Sequence, residues 1–371
     1  MKLKALTLGV AMAFPLLASA QGTGTSVTLY GVVDTGIEYV NNIGVDKNSS
    51  FHMPNLTASG PSLWGLRGTE DLGNGLSAIF TLESGFNPNT GTSGQGGRLF
   101  GRQAFVGLKG DWGQVAFGRQ YNMLNIGLRS VDIMGPAAYG LGSLDTYIPN
   151  ARMDNSITYL GKFSGFQVGL AYARGRDTQT TGGPGATNCG VDYSSQSACS
   201  AWGATLGYDA ANWGVTAVYD VIKGRDGANF YGLGASDQDR RLGGGAYVKF
   251  DDLKVSLLYI NRKTDSVIGA RLGDRSDLWS LAASYNVSPA VTLDGSVNYI
   301  RFGNADESSR AMYYVARARY NFSKRTSAYA MASFMNNSGL SALSAAGGTA
   351  GANPAAGNNQ TALMVGLRHA F

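Results

Sequence analysis

The sequence predicts an all-β protein: a closed antiparallel transmembrane barrel of sixteen strands. Three observations predict it. The stretch Thr361–Phe371 alternates along its length, with Phe371, His369, Leu367, Val365 and Leu363 on one face. The N-terminal stretch reads as an export signal, and no later window offers the ~18 consecutive apolar residues of a membrane-crossing helix. Between these ends, sixteen strand-like runs are separated by breaks that alternate short and long.

The first observation concerns length and face. A tilted strand of about 9–11 residues crosses a bilayer. An apolar outer face with an aromatic at its end suits the lipid boundary. A barrel also closes by pairing its last strand with its first. An ordinary edge strand of a soluble sheet is the competing reading of this segment alone.

At the other end, Lys2 and Lys4 precede the apolar run Ala5–Leu17, and Ala18-Ser19-Ala20 follows as a small-x-small processing site. Residues 1–20 are expected to be a secretory signal peptide, cleaved after Ala20, with the mature chain starting at Gln21. An exported integral membrane protein without spanning helices has one remaining architecture, the closed barrel, because lipid cannot satisfy free backbone groups.

The runs carry aromatic or β-branched residues at period two. In order they are Val27–Val40, Leu63–Asp71, Leu76–Gly85, Phe100–Lys109, Gln114–Arg119, Arg152–Leu160, Phe166–Arg174 and Trp202–Tyr208. Trp213–Ile222, Arg241–Phe250, Leu253–Arg262, Leu278–Tyr285, Val291–Phe302, Met312–Tyr320, Ser327–Met335 and Thr361–Phe371 follow. Short breaks such as Leu72–Gly75 and Asp251–Asp252 alternate with long ones such as Asn41–Ser62, Gln120–Ala151 and Asn336–Gln360. Tight turns at one rim and long loops at the other are the pattern of outer-membrane barrels. A soluble sandwich has no reason to alternate loop length in this way. No repeat of fixed period argues for a propeller or solenoid, and Gly182–Gly185 and Ser341–Pro354 read as low-complexity loop pieces.

Composition agrees. Glycine supplies 53 of 371 residues, aromatics 11% and charged residues only 15%, against about 25% charged in soluble domains. The formal charge of +5 falls to +3 without Lys2 and Lys4, too weak and dispersed for a nucleic-acid partner. Cys189 and Cys199 lie ten positions apart in a Gly/Ser/Thr-rich stretch, and export exposes them to an oxidising compartment. A disulfide within one loop is expected, with two free loop thiols as the alternative. A metal site lacks clustered histidines, since His52 and His369 are the only two.

Several stretches resemble the trimeric general diffusion porins of Gram-negative bacteria. They are Ser26–Asp34, Gly65–Leu76 with the following strand around Phe80 and Glu83, Phe100–Lys109, Gly113–Arg119, Lys324–Tyr329 and Gly366–Phe371. The resemblance covers essentially the whole mature chain. It implies sixteen antiparallel strands, a homotrimer, and a third long loop folded into the lumen. Here that loop would be 120–151. The resemblance also implies outer-membrane lipid and lipopolysaccharide as surroundings, and the barrel-assembly machinery as a partner of the strand ending in Phe371.

A porin's site is a constriction, where basic wall residues face acidic loop residues across a focused field. On the loop lie Asp132, Asp145 and Arg129. On the wall, Arg67 alternates with Leu66 and faces the lumen if Leu66 faces lipid. Arg102 opens the fourth strand and Arg152 opens the strand after the loop. Such porins place basic wall residues at positions resembling Arg67, Arg102 and Arg152. A further position, often arginine there, is Leu63 here, which weakens the expected positive cluster. Arg119, and Asp34 with Glu38 on one face of the first strand, complete the candidates. For each, a solvated rim position is the alternative.

Trp64, Trp112, Trp202, Trp213, Trp279 and Phe371 sit near predicted strand ends and suit interfacial girdles. A spiral aromatic track for sugars is the other reading. No Gly-x-Ser-x-Gly elbow, phosphate loop or His-x-x-x-His pair is present, so no enzyme signature and no cofactor are expected. The expected function is an outer-membrane, water-filled channel for passive diffusion of small hydrophilic solutes and ions, with a mild anion preference. A solute-specific channel with a saturable site is the nearest alternative. A non-channel surface protein, such as an adhesin or barrel enzyme, is the third.

Overall fold

A computed structural model of the chain describes residues 24–175, 189, 197–225, 233–265, 274–303, 309–347, 349 and 351–371. The expected signal segment 1–20 and the piece 182–185 lie outside them. Among the described residues no helix is long and apolar enough to cross a membrane; strands do the crossing.

The strands are β1 (Ser26–Ile43), β2 (Asn48–His52), β3 (Leu63–Gly73), β4 (Leu76–Gly85), β5 (Gln103–Gly110), β6 (Gly113–Tyr121), β7 (Arg152–Phe163) and β8 (Phe166–Arg174). They continue with β9 (Ser200–Asp209), β10 (Trp213–Lys223), β11 (Gln238–Phe250), β12 (Leu253–Thr264), β13 (Arg275–Asn286), β14 (Val291–Gly303), β15 (Arg310–Asn321), β16 (Thr326–Ser338) and β17 (Gln360–Ala370). From β3 onward each strand pairs antiparallel with the next, and β17 pairs with β1 from Val32↔Ala370 to Val40↔Ala362. The sheet is closed. Sixteen strands span it, matching the expected number.

β2 is the addition. It is a five-residue strand in the first long break, folded back on β1 through Tyr39↔Phe51 and Val40↔Ser50. Its polar sequence Asn-Ser-Ser-Phe-His has too little alternation to announce a strand. Elsewhere the strands run one to three residues past most sequence-based limits, and the short turns tighten accordingly. At β3–β4 and β7–β8 the turn pairs Asn74–Gly75 and Ser164–Gly165 all take positive φ, as two-residue hairpins matched to sheet twist require.

Period two is plain in burial. On β17 the outward residues Leu363, Val365 and Leu367 are exposed, while Ala362 and Met364 are buried. On β15 Tyr313, Val315 and Arg317 are buried, and Tyr314 is exposed. The exposed set is a lipid-facing wall, and four of the tryptophans (112, 202, 213 and 279) belong to it.

The inner face is filled by chain as well as side chains. Segment 122–151 leaves the end of β6 and packs its helical turn Met123–Leu128 on β8 to β11. It continues to β12, where Lys254 Nζ donates to Ser130 O at 2.7 Å. On β15, Arg317 donates to Met134 O at 3.3 Å and Ile133 O at 3.4 Å. The Ser143 hydroxyl meets Tyr313 at 3.2 Å. The last long break also turns inward: Tyr313 donates to Ala345 O at 2.8 Å and Gly347 N to Ser143 Oγ at 3.3 Å. The paired cysteines of the expected disulfide, Cys189 and Cys199, are bonded.

Candidate functional site

Where β4, β5, β6 and β7 approach the base of segment 122–151, their inward side chains form a basic cluster. Arg102 lies one residue before β5, not inside it as the sequence suggested. Its Nε donates to Glu83 Oε1 at 2.8 Å and its Nη2 to the Tyr121 hydroxyl at 2.6 Å. Arg152, first in β7, donates from Nη2 to the same hydroxyl at 3.1 Å. Arg129, from the inserted segment, lies 4.8 Å above the Tyr121 ring, beside Arg152 at 4.7 Å and Arg102 at 6.0 Å. Tyr30 of β1 donates to Glu83 Oε2 at 2.9 Å. Arg67 stands over the Tyr30 ring at 5.2 Å.

Registry explains the convergence. Tyr30 pairs with Gly65 and Gly65 with Glu83, so all three share the inner face. Gly65 matters because a Cβ there would lie 2.8 Å from the Tyr30 hydroxyl. Arg67 is two residues on, hence inward, opposite to Leu66 as the alternation predicted. Leu63 is inward too, so the missing arginine is missing from the lumen.

Asp132 lines the same cavity of about 800 Å³ as Glu83, Arg102, Tyr121, Arg129 and Arg152. Its carboxylate accepts Gly135 N at 3.0 Å. Burial pushes its pKa up to about 6, against the pull of the Gly135 N–H and the Arg317 charge. Burial also lowers Arg129.

The remaining candidates lie elsewhere. Asp145 pairs with Arg241 on β11 at 2.7 Å. Burial alone would raise its pKa, but Arg241 and Arg262 hold it down at about 2. Arg119 pairs with Asp154, which Arg98 also reaches at 3.2 Å. Asp34 is fully buried, bonded to the Ser59 hydroxyl at 2.6 Å and to Arg368 at 3.3 Å. Glu38 is fully buried against His52 at 2.6 Å and Thr349 at 2.7 Å. Thus Arg102, Arg129, Arg152 and Asp132 meet in one cavity, while Arg67, Arg119, Asp145, Asp34 and Glu38 do not line it.

The sequence reading passed over Tyr121, the pair Arg317–Asp294 at 2.8 Å, and the chain Arg241–Asp239–Arg262 at 3.3 and 2.8 Å. It also passed over Asp220, which accepts from Asn122 at 2.9 Å and Tyr147 at 2.5 Å. The missed signal was charge in phase with the inward positions of β10, β11, β14 and β15.

This architecture matches known proteins along nearly its whole length. The Gram-negative porin family model matches residues 5–340. An outer membrane porin of Bordetella pertussis is 32% identical, covering 97% of this chain and 99% of that protein. Outer membrane porin protein 32 of Delftia acidovorans is 31% identical over 98% and 99% of the two chains. The solved anion-selective porin from Comamonas acidovorans superposes with a TM-score of 0.78 at 29% identity, covering 94% of this chain and all of that one.

Proposed function

The chain belongs to the Gram-negative porin family, and from that premise we propose how its channel selects among solutes. It is an outer-membrane barrel that lets small hydrophilic solutes and ions diffuse passively. The family is one of channels rather than enzymes.

The selective element we propose is the 120–151 segment facing the β4–β7 wall. The observation that carries it is the convergence of Arg102, Arg129 and Arg152 on one lumen cavity. Only Arg102 of the three bonds a carboxylate there, and Asp132 is the other acid in the cavity. The local balance is positive. Low-dielectric walls concentrate that field, favouring anions on approach and in transit. The anion-selective relative from Comamonas supports the same sign.

The preference is expected to be mild. Glu83 and Asp132 offset part of the charge, and Leu63 leaves the wall without a further arginine. Arg67 acts as an outlying wall charge. Asp145, Arg119, Asp34 and Glu38 serve by fixing loops to the wall rather than by touching permeants. A homotrimer, lipopolysaccharide at the outer rim, and insertion by the barrel-assembly machinery through the strand ending in Phe371 belong to the same proposal.

Single-channel recording across a salt gradient tests it. The reversal potential is expected to carry the anion-selective sign. Arg102→Glu and Arg152→Gln are each expected to move it toward cations. A reversal potential unmoved by both variants would remove the cluster from the selective path.

A further inference from the structure

The inserted segment leaves and rejoins the wall at Tyr121 and Arg152, which are direct partners in the β6–β7 register. Three guanidinium groups crowd that junction. Like charges a few ångströms apart in partly dry surroundings repel strongly, so something must hold them together.

Carboxylates do not suffice. Glu83 bonds Arg102 alone among the three. Arg129 leans on a neutral amide, Asn125 Oδ1, at 2.8 and 3.2 Å. Arg152 is almost wholly buried, and its Nε is buried without a partner. Its described hydrogen bond runs to the Tyr121 hydroxyl at 3.1 Å. Arg102 donates to that same oxygen at 2.6 Å. A ring face attracts cations within about 6 Å of its centroid, and all three guanidiniums fall at or inside that limit. One tyrosine supplies the oxygen that two arginines share and the ring that three surround.

We propose that Tyr121 is the positioning residue of the arginine cluster, and so sets the channel's ion selectivity by holding the guanidinium groups in place. The inference rests on the constriction reading above. Without the hydroxyl, Arg152 loses its described bond and is free to swing away from Arg102. Without the ring, Arg129 loses its seat as well. Every formal charge stays in place, yet the field at the cavity spreads and weakens.

The test compares Tyr121→Phe, Tyr121→Leu and Arg152→Gln in planar bilayers, each first shown to be folded by heat-modifiable migration. The anion-to-cation permeability ratio is expected to fall about twofold in Tyr121→Phe and further in Tyr121→Leu, as a weakened charge ring predicts. Open-channel conductance should stay near the parent value. If Arg152→Gln shifts the ratio and both Tyr121 variants leave it unchanged, the inference is overturned while the constriction reading stands. If Tyr121→Leu changes conductance or thermal stability alone, Tyr121 is merely structural and the inference is again overturned. If Arg152→Gln shifts nothing, the constriction reading fails and takes the inference with it.

Discussion

Asp145, near the far end of the inserted segment, meets Arg241 of β11 in a two-point ion pair. Nε lies 2.7 Å from Oδ2 and Nη2 lies 3.1 Å from Oδ1. The Arg241 guanidinium also covers the Tyr147 ring at 4.1 Å, and Tyr147 bonds Asp220 on β10. The segment is therefore clasped by β10 and β11, away from its own stems on β6 and β7. Parallel fork-to-carboxylate geometry is the strongest form of such a contact.

Removing Arg241 should cost more than removing Asp145. Arg241→Gln strands Asp145 in a buried setting while Asp239 keeps Arg262 at 2.8 Å, and breaking a buried pair from one side costs about 3–5 kcal/mol. Asp145→Asn leaves Arg241 its second partner, Asp239, at 3.3 Å. Urea unfolding followed by the folded-band shift should rank the variants in that order. Asp145 also sets an acid limit. A carboxyl held at about 2 stabilises the fold above its ordinary value of 3.8, and that contribution disappears as pH falls toward 2. Current noise from segment movement should thus be flat from neutral pH to about 4 and rise below it.

His52 of β2 and Thr349 of the last long break both meet the buried Glu38 carboxylate. His52→Ala leaves that buried carboxylate without its ring-nitrogen partner and is expected to destabilise by about 1–3 kcal/mol. Glu38→Gln should soften the loss, because a neutral amide costs less than a carboxylate to bury with a hydrogen bond missing. A double-mutant cycle on unfolding should therefore give a coupling above about 1 kcal/mol. Additive effects would show that the pair does not hold the two loops together.

Phe371 closes the barrel over a glycine. Its N–H donates to Gly31 O at 3.0 Å, and Gly31 N–H donates back to Phe371 O at 3.1 Å. A Cβ on Gly31 would sit 2.3 Å from the Phe371 ring. Gly31→Val should push the ring aside, and overpacking of this kind costs about 1–3 kcal/mol. The melting temperature of the folded band should drop, while Phe371→Ala in the same background should add little further loss.

Much of the fold was legible because lipid imposes a strict rule: outward apolar, inward polar, period two. The last strand obeyed it from Leu363 to Phe371, and its face and closing role could be read directly. β2 obeyed no such rule, since Asn-Ser-Ser-Phe-His offers one large apolar residue in five and no alternation, and it went unread. The site was less legible than the barrel. Arg102, Arg129, Arg152 and Asp132 were named from strand phase and resemblance. Tyr121 was not, because a tyrosine at a strand end suits a girdle as well as a lumen. Asp220, Arg241 and Arg317 show their partners only once segment 122–151 is laid across the barrel, and nothing local in sequence encodes that path.

Asp132 offers the sharpest test of the cavity itself. Its carboxyl titrates near pH 6 because burial favours the neutral form more than Gly135 and Arg317 favour the charged one. At pH 7 the group is mostly ionised and subtracts from the positive field of Arg102, Arg129 and Arg152. At pH 5 it is mostly protonated, and the subtraction is gone. Anion preference should therefore rise as pH falls from 7 to 5. The same shift makes ionisation a cost to the fold above about pH 6, so stability should also gain as pH falls from there toward the ordinary value of 3.8. Asp132→Asn should fix selectivity at its low-pH value and flatten the response across this range. A pH response that survives in Asp132→Asn would therefore place the titrating group outside the arginine cluster and remove Asp132 from the path of the ions.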